Sequence, residues 1–231
     1  MTMAINNSDT ESPAFFCPGK TPRVKFCGFT CEEDVQAACG LVRDGLHALG
    51  FNLWPQSKRF VSLEKATGLA QKAADLAPGI ARIAVVVNAD KDLINGIINT
   101  GCFDAVQFHG DETPEDCLEF TKLGGNLWLK ALTAGAKLSD YATPWILLDT
   151  PAGKNYGGTG KVFDWQLAAN AVTGFPAQHI ILAGGLTPEN ISSALETVSP
   201  FGVDVAGGIE SAPGKKDADK MKAFLAAIRN S

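Results

Sequence analysis

The chain repeats one theme along most of its length: a short apolar run, rich in β-branched residues, followed by a longer amphipathic segment. Nearly continuous hydrophobicity in such short runs is typical of strands covered on both faces, as in a parallel sheet, whereas one-sided antiparallel strands alternate. Eight runs are present, at residues 24–27, 48–53, 83–87, 105–108, 127–132, 145–148, 180–182 and 202–205. The sequence therefore predicts eight parallel strands.

Between these runs, capping signals mark where helices begin. Thr30 with Glu33 fits a capping box, and Thr113 and Thr187 each stand before a proline that can occupy the first helical position. Thr143 also stands before a proline but leads straight into a strand, so that pair predicts a turn. Amphipathic helices are predicted over residues 32–42, 63–76, 114–123, 188–198 and 216–228.

Eight strands with intervening helices, in 231 residues without a break in composition, predict an α/β fold that is a single (β/α)8 TIM barrel. The alternative is an open doubly wound sheet, which usually carries a G-x-G-x-x-G loop after its first strand. Gly28-Phe29-Thr30 follows the first run and does not fit that loop, which favours the barrel. We expect the barrel domain over residues 23–231. Residues 1–22 carry little apolar surface and are expected to form a short, flexible N-terminal tail.

Charge and composition argue against several classes of function. Twenty Lys and Arg against twenty-five Asp and Glu give a formal net charge of −5 without a basic run, which disfavours nucleic-acid binding. No apolar run approaches the ~18 residues that cross a bilayer, and the N-terminus lacks a signal-peptide pattern, so we expect a cytoplasmic protein without a membrane partner. Six cysteines without C-x-x-C spacing and three separated histidines predict reduced thiols and no metal site.

In a (β/α)8 barrel, polar residues at the carboxyl ends of the strands point into the active site. We therefore expect the chemistry of this chain to come from those positions alone. The candidates are Cys27, residues 52–59, Asn88, Gln107, His109, Lys130, Asp149, Gly184-Gly185 and residues 204–208.

Cys27 and Asp149 each have a structural and a chemical interpretation. A free cysteine is usually buried and inert, but one at a strand end near a helix N-terminus can have a lowered pKa and act as a thiolate base or nucleophile. An aspartate can cap a turn, or it can be a general acid or base whose pKa is raised by apolar surroundings. The residues alone leave both interpretations open.

Glycine pairs follow the seventh and eighth runs, at Gly184-Gly185 and Gly207-Gly208, where barrels frequently bind phosphate through backbone N–H groups. A tight turn explains either pair alone, but their coincidence favours a phosphorylated ligand. Residues 157–161 are glycine-rich as well. Asn155 and Val162 break the Walker pattern there, so no nucleoside triphosphatase is predicted.

The basic candidates also allow two interpretations each. Arg59 is either solvated or a guanidinium that clamps a carboxylate at the barrel mouth. Lys25 and Lys130 are either paired structurally or Schiff-base nucleophiles of an aldolase. His109 is expected to line the mouth as a hydrogen-bonding residue rather than to be the principal base, because the sequence supplies no partner that would orient its ring.

Taken together, the strand ends resemble those of the phosphoribosylanthranilate isomerase family of tryptophan biosynthesis. The similarity extends in family order from about residue 24 to residue 228, and its motifs are specific jointly rather than singly. The matching stretches are residues 24–30, 48–54, 57–61, 106–112, 147–149, 157–160, 163–165, 182–190 and 202–210.

The resemblance implies an aldose–ketose isomerase that converts N-(5-phosphoribosyl)anthranilate to 1-(2-carboxyphenylamino)-1-deoxyribulose 5-phosphate by an Amadori rearrangement. It implies that Cys27 is the general base and Asp149 the general acid, and that Arg59 contacts the anthranilate moiety. It implies no cofactor or metal, a small phosphosugar as the binding partner, and a monomer or homodimer. The implied substrate-binding residues are Arg59, His109, Gly158, Gly184, Gly185, Asp204, Ala206 and Gly207.

Two positions depart from the family pattern. Ala206-Gly207 stands where the family usually has hydroxyl-bearing residues, so backbone N–H groups must carry more of the phosphate binding. Lys58 replaces the proline of a Ser-Pro-Arg motif that ends at Arg59. Three other functions stay open: an isomerase of a histidine-pathway intermediate, a Schiff-base aldolase, and a silent protein that binds a phosphorylated ligand.

Overall fold

Eight parallel strands close into a barrel in the computed structural model, which describes residues 13–125, 127–133, 135–149 and 165–231. Each strand pairs with the next in chain order, and the eighth pairs with the first. The predicted (β/α)8 barrel is confirmed. The strands are β1 (Arg23–Cys27), β2 (Ala48–Asn52), β3 (Ala81–Val86), β4 (Ala105–Phe108), β5 (Leu127–Thr133), β6 (Trp145–Asp149), β7 (His179–Leu182) and β8 (Gly202–Val205).

Every predicted strand is present, and its ends differ from the prediction by at most two residues. The helices include two that were not predicted, the third and the fifth. They are α1 (Glu32–Cys39), α2 (Leu63–Leu76), α3 (Lys91–Thr100), α4 (Pro114–Lys122), α5 (Trp165–Gly174), α6 (Ile191–Val198) and α7 (Ala218–Arg229). None of the helices in the described ranges has the length and hydropathy needed to cross a membrane.

Of the three residues that were predicted to cap helices, Thr113 does so, whereas Thr30 and Thr187 do not. Thr113 is the expected N-cap of α4 before Pro114, and it also forms a capping box with Asp116. Thr30 does not cap α1, because its Oγ1 donates to the Gly214 carbonyl at 2.6 Å and Cys31 occupies the N-cap instead. The start of α6 is at Ile191 rather than residue 188, because Asn190 Oδ1 accepts from the Thr187 N–H and holds the preceding residues in a turn.

Along β1 the side chains alternate between the two faces of the barrel wall. Val24 and Phe26 belong to the apolar core between the strands and the helices, where Phe26 packs edge-on against Phe224 of α7. Lys25 and Cys27 have the opposite parity and therefore face the barrel interior. This alternation places both side chains on the wall that surrounds the candidate site.

The segment before β1 closes the opposite end of the barrel. Phe15 and Phe16 are buried among apolar side chains of the strand interiors, and Phe16 packs edge-on against Trp145 with ring centroids 5.1 Å apart. Arg23 fixes the chain that follows, because its Nε donates to the Cys17 carbonyl at 2.7 Å. The burial of Phe15 and Phe16 does not fit a flexible tail at these two residues, since the barrel supplies the apolar surface that the segment itself lacks. Residues 1–12 lie outside the described residues.

Candidate active site

A cavity of about 340 Å³ opens at the carboxyl ends of β6, β7 and β8. Cys27 and His109 belong to the same end of the barrel but are not among the lining residues, and Gly158 lies outside the described residues. The cavity thus lies at the end of the barrel to which the strand-end candidates belong. The predicted site residues that line it are Arg59, Asp149, Gly184, Gly185, Asp204, Ala206 and Gly207.

Two glycine loops form one side of this cavity. Gly184 and Gly185 have φ angles of 85° and 68°, in the left-handed region that glycine adopts without steric cost. A Cβ on Gly208 would lie 1.9 Å from the Leu186 carbonyl oxygen, so the loops after β7 and β8 are in backbone contact. A short 3-10 helix begins at Gly207, and the first N–H groups of a helix have no partner within it. The glycines bring backbone close to this wall of the cavity, and backbone N–H groups at a helix start can bind an anion.

Cys27 ends β1 with 8% of its surface exposed. Burial raises the pKa of its thiol, the Asp204 carboxylate raises it further, and the Lys25 and Lys216 ammonium groups oppose the rise. This direction is opposite to the lowered pKa that one of the two interpretations of Cys27 allowed, because desolvation outweighs the neighbouring cations. The backbone carbonyl of Cys27 accepts a hydrogen bond of 2.6 Å from Lys216 Nζ, which fixes the end of the strand.

Asp149 ends β6 and is held by His109, whose Nε2 lies 3.3 Å from Asp149 Oδ2. The ring of His109 is oriented in turn by Gln107, whose amide nitrogen lies 2.7 Å from Nδ1. With that amide donating to Nδ1, the neutral ring carries its proton on Nε2 and donates it to Asp149. The expectation that His109 lacks an orienting partner is wrong, because Gln107 lies two residues earlier on the same face of β4.

Arg59 lines the cavity and is ion-paired with Glu210. Its Nε and Nη2 each donate to the carboxylate of Glu210 at 2.7 Å, and this bidentate bond raises the pKa of the guanidinium. Glu210 also accepts from Lys216 Nζ at 2.9 Å, so the two cations share one buried carboxylate. Burial favours the neutral acid, but Arg59 and Lys216 outweigh it and lower the pKa of Glu210. Glu210 and Lys216 face each other across a short hairpin of Glu210–Ala212 and Lys215–Lys216.

Both strand lysines that could have formed a Schiff base are ion-paired. Lys25 Nζ lies 2.8 Å from Asp204 Oδ1, and Lys130 Nζ lies 2.7 Å from Glu112 Oε2. Burial opposes the charge on Lys25, but attraction to Asp204 and Cys27 outweighs it and raises the pKa of the ammonium. A Schiff base needs a neutral amine, so these contacts favour the structural interpretation of Lys25.

Three residues that the sequence did not single out help to build the site: Glu210, Lys216 and Gly50. The first two belong to the hairpin after β8. Gly50 lies on β2, where a Cβ would come within 2.7 Å of Cys27 Sγ. The signal for Glu210 was its position after Gly207-Gly208, within one of the stretches that resemble the family, but its pairing with Arg59 spans 151 residues and follows only from barrel closure.

Comparison with known proteins identifies what this chain is similar to. Residues 24–227 match the family described as "PRAI: N-(5'phosphoribosyl)anthranilate (PRA) isomerase". Proteins named N-(5'-phosphoribosyl)anthranilate isomerase match at 38% identity in Trichlorobacter lovleyi and 41% in Geobacter sulfurreducens. Each alignment covers 88% of this chain and 96% of the relative.

Solved structures give the same result. A phosphoribosyl anthranilate isomerase in complex with reduced 1-(o-carboxyphenylamino)-1-deoxyribulose 5-phosphate matches with a TM-score of 0.72 and 33% identity, over 91% of this chain and all of the other. Monomers generated from the dimeric phosphoribosylanthranilate isomerase of Thermotoga maritima match with a TM-score of 0.73 and 32% identity, over 91% of this chain and all of the other.

Proposed function

The chain belongs to the N-(5'-phosphoribosyl)anthranilate isomerase family, and from this membership we propose how its own residues divide the chemistry of that isomerisation in tryptophan biosynthesis. Cys27 is the general base and Asp149 the general acid. The observation that carries the proposal is the cavity, which joins Asp149 to two glycine-containing loops, with Cys27 at the end of an adjoining strand.

The reaction begins with ring opening. Asp149 in its protonated form gives its proton to the furanose ring oxygen, the bond from that oxygen to C1′ breaks, and the lone pair of the anthranilate nitrogen forms a C1′ iminium. The thiolate of Cys27 then removes the proton from C2′, and the C–H electron pair becomes the C1′–C2′ double bond of an enolamine. Tautomerisation moves a proton to C1′ and leaves the ketone at C2′. Each group contributes roughly 10² to 10⁴ in rate when it is well placed.

The remaining cavity residues bind the two charged ends of the substrate. Backbone N–H groups of the loops at Gly184-Gly185 and at 206–208 hold the phosphate, and Arg59 contacts the carboxylate of the anthranilate moiety. The φ angles of Gly184 and Gly185 support the phosphate site, and the place of Arg59 in the cavity lining supports its contact with the substrate. His109 orients Asp149, while Asp204 holds Lys25 beside the site. The role expected of Gly158 in closing the site is part of the same proposal.

The test follows the loss of fluorescence of enzymically generated phosphoribosylanthranilate after the protein is added. Cys27→Ala and Asp149→Asn are each expected to lower kcat/KM by at least about a hundredfold. Cys102→Ala, at a partly exposed cysteine outside the barrel interior, serves as the matched control and should retain full activity. Thermal unfolding shows whether each variant is folded.

Two results would overturn the proposal. Retained activity in a folded Cys27→Ala or Asp149→Asn variant would refute the role assigned to that residue. Calorimetric binding of the product analogue by the wild-type protein, without any turnover in the fluorescence assay, would instead show a silent ligand-binding protein. Analytical ultracentrifugation decides between the predicted monomer and homodimer.

A further inference from the structure

The barrel interior beside Cys27 holds a lysine for which the proposed reaction has no use. Lys25 lies two residues before Cys27 on β1 and is completely buried, with its Nζ 2.8 Å from Asp204 Oδ1. Burying an ammonium group costs free energy even when it is paired, and a pair of apolar residues is often as stable. The position of Lys25 therefore suggests a role besides stability.

Gly50 on β2 shows how close the ammonium is to the sulfur. A Cβ built on Gly50 would lie 2.7 Å from Cys27 Sγ and 3.0 Å from Lys25 Nζ, so these two atoms are less than about 6 Å apart. Because Gly50 has no side chain, the Cys27 thiol and the Lys25 ammonium group both fit beside its Cα. A cation at this distance in a dry interior favours the charged form of an acid by about 1 to 3 pKa units.

Several other charged groups also face the Cys27 thiol, and the cations among them differ in how many acceptors they already bind. Lys216 and Arg59 share the Glu210 carboxylate, and Lys216 also donates to the Cys27 and Ala206 carbonyls. Lys25 has one acidic partner, Asp204, which takes one of its three N–H donors. The charged groups facing Cys27 are Lys25 from β1, Asp204 from β8, Lys216 from the hairpin and Arg59 from the loop after β2.

We propose that Lys25 is a positioning residue whose ammonium group increases the thiolate fraction of Cys27, with Asp204 holding Lys25 in place and limiting the effect. The inference rests on the proposed role of Cys27 as the base. Lys25 keeps its protons throughout. The thiol proton leaves to solvent before substrate binds, and the resulting thiolate is the species that takes the C2′ proton.

The test measures the ionisation of Cys27 directly, without using activity. Wild-type protein is treated with iodoacetamide from pH 6 to 11, and mass spectrometry of the peptide that contains Cys27 gives its alkylation rate at each pH. Lys25→Met should move the midpoint of this profile upward by about one pH unit or more. The matched control is Lys130→Met, which removes a buried strand lysine paired with Glu112 and should leave the midpoint unchanged.

A second variant keeps the proposal testable if Lys25→Met does not fold. Asp204→Asn removes the charge that opposes ionisation but keeps an oxygen that can accept from Lys25 Nζ, so it should move the midpoint downward. An unchanged midpoint in a folded Lys25→Met or Asp204→Asn variant, or an equal shift in Lys130→Met, would overturn the role of Lys25. Full activity of Cys27→Ala would overturn the proposed function instead, whatever the alkylation profile shows.

Discussion

Replacing Glu210 by glutamine should destabilise the protein strongly although the change in shape is minimal. The carboxylate is 4% exposed and accepts four hydrogen bonds, from Arg59 Nε and Nη2, Lys216 Nζ and the Gly214 N–H. An amide keeps part of this bonding but leaves two cations without their negative partner. Breaking a buried ion pair on one side typically costs about 3 to 5 kcal/mol.

The measurement is urea unfolding followed by tryptophan fluorescence at pH 7.5. The free energy of unfolding should fall by about 3 to 5 kcal/mol. In thermal unfolding of a chain of this size, the same loss lowers Tm by roughly 6 to 20 °C. Glu119→Gln is the control, because the side chain of Glu119 is 37% exposed and its two lysine partners are each 3.5 Å away. That variant should unfold at the same urea concentration as the wild type.

Glu210→Gln should also lower kcat/KM at temperatures where the variant is folded, because Arg59 loses the bidentate anchor that sets its position in the cavity. If Glu210→Gln is no less stable than Glu119→Gln, the carboxylate does not organise the two cations and the account of this side of the cavity is wrong. A loss of stability of the expected size in Glu210→Gln, with kcat/KM unchanged, would restrict Glu210 to a structural role.

Three further predictions concern parts of the fold away from the acid and base. Phe15→Ala should lower the free energy of unfolding by about 3 to 5 kcal/mol in urea titrations while kcat/KM at 25 °C stays unchanged, because the ring closes the far end of the barrel. Gly68→Ala should raise stability by roughly 0.5 to 1 kcal/mol, since a Cβ in the middle of α2 meets nothing within 4 Å; an unchanged or lower urea midpoint would contradict it. Burial and the Arg23 guanidinium lower the pKa of His47 from 6.5 to about 4, so the unfolded state binds the extra proton and stability should fall as pH drops from 6.5 toward 4. Tm should therefore depend less steeply on pH between 4 and 6.5 in His47→Gln than in the wild type.

The barrel could be predicted because each strand is a continuous apolar run whose length and spacing leave few topologies. Helix α3 was missed because Gly96 and the neighbouring asparagines are weak helix formers, and burial of Ile94 and Ile97 supplies what local propensity lacks. Gly96 itself has a tertiary reason, since a Cβ there would lie 2.8 Å from Leu63 Cδ2 of α2.

The location of the candidate site could be predicted from strand ends, because parallel strands bring those ends to one face. The contacts within it could not, because partners such as Arg59 and Glu210 meet only after the barrel closes. Phe15 shows the same limit: its buried surroundings come from several strands and exist only in the folded chain. The raised pKa of Cys27 depends on the depth of burial, which a single strand-end position does not reveal.

One measurement tests the assignment of Cys27 as the base most directly: the pH dependence of kcat/KM compared with the pH dependence of Cys27 alkylation. Both profiles depend on the ionisation of groups in the enzyme without bound substrate. Because burial raises the pKa of the thiol, kcat/KM should rise with pH above neutrality until Cys27 is ionised. If Cys27 is the base, the rising limb of kcat/KM and the alkylation profile share one midpoint, and both midpoints move together in Lys25→Met. A rising limb whose midpoint differs from that of Cys27 alkylation by more than a pH unit would contradict this assignment.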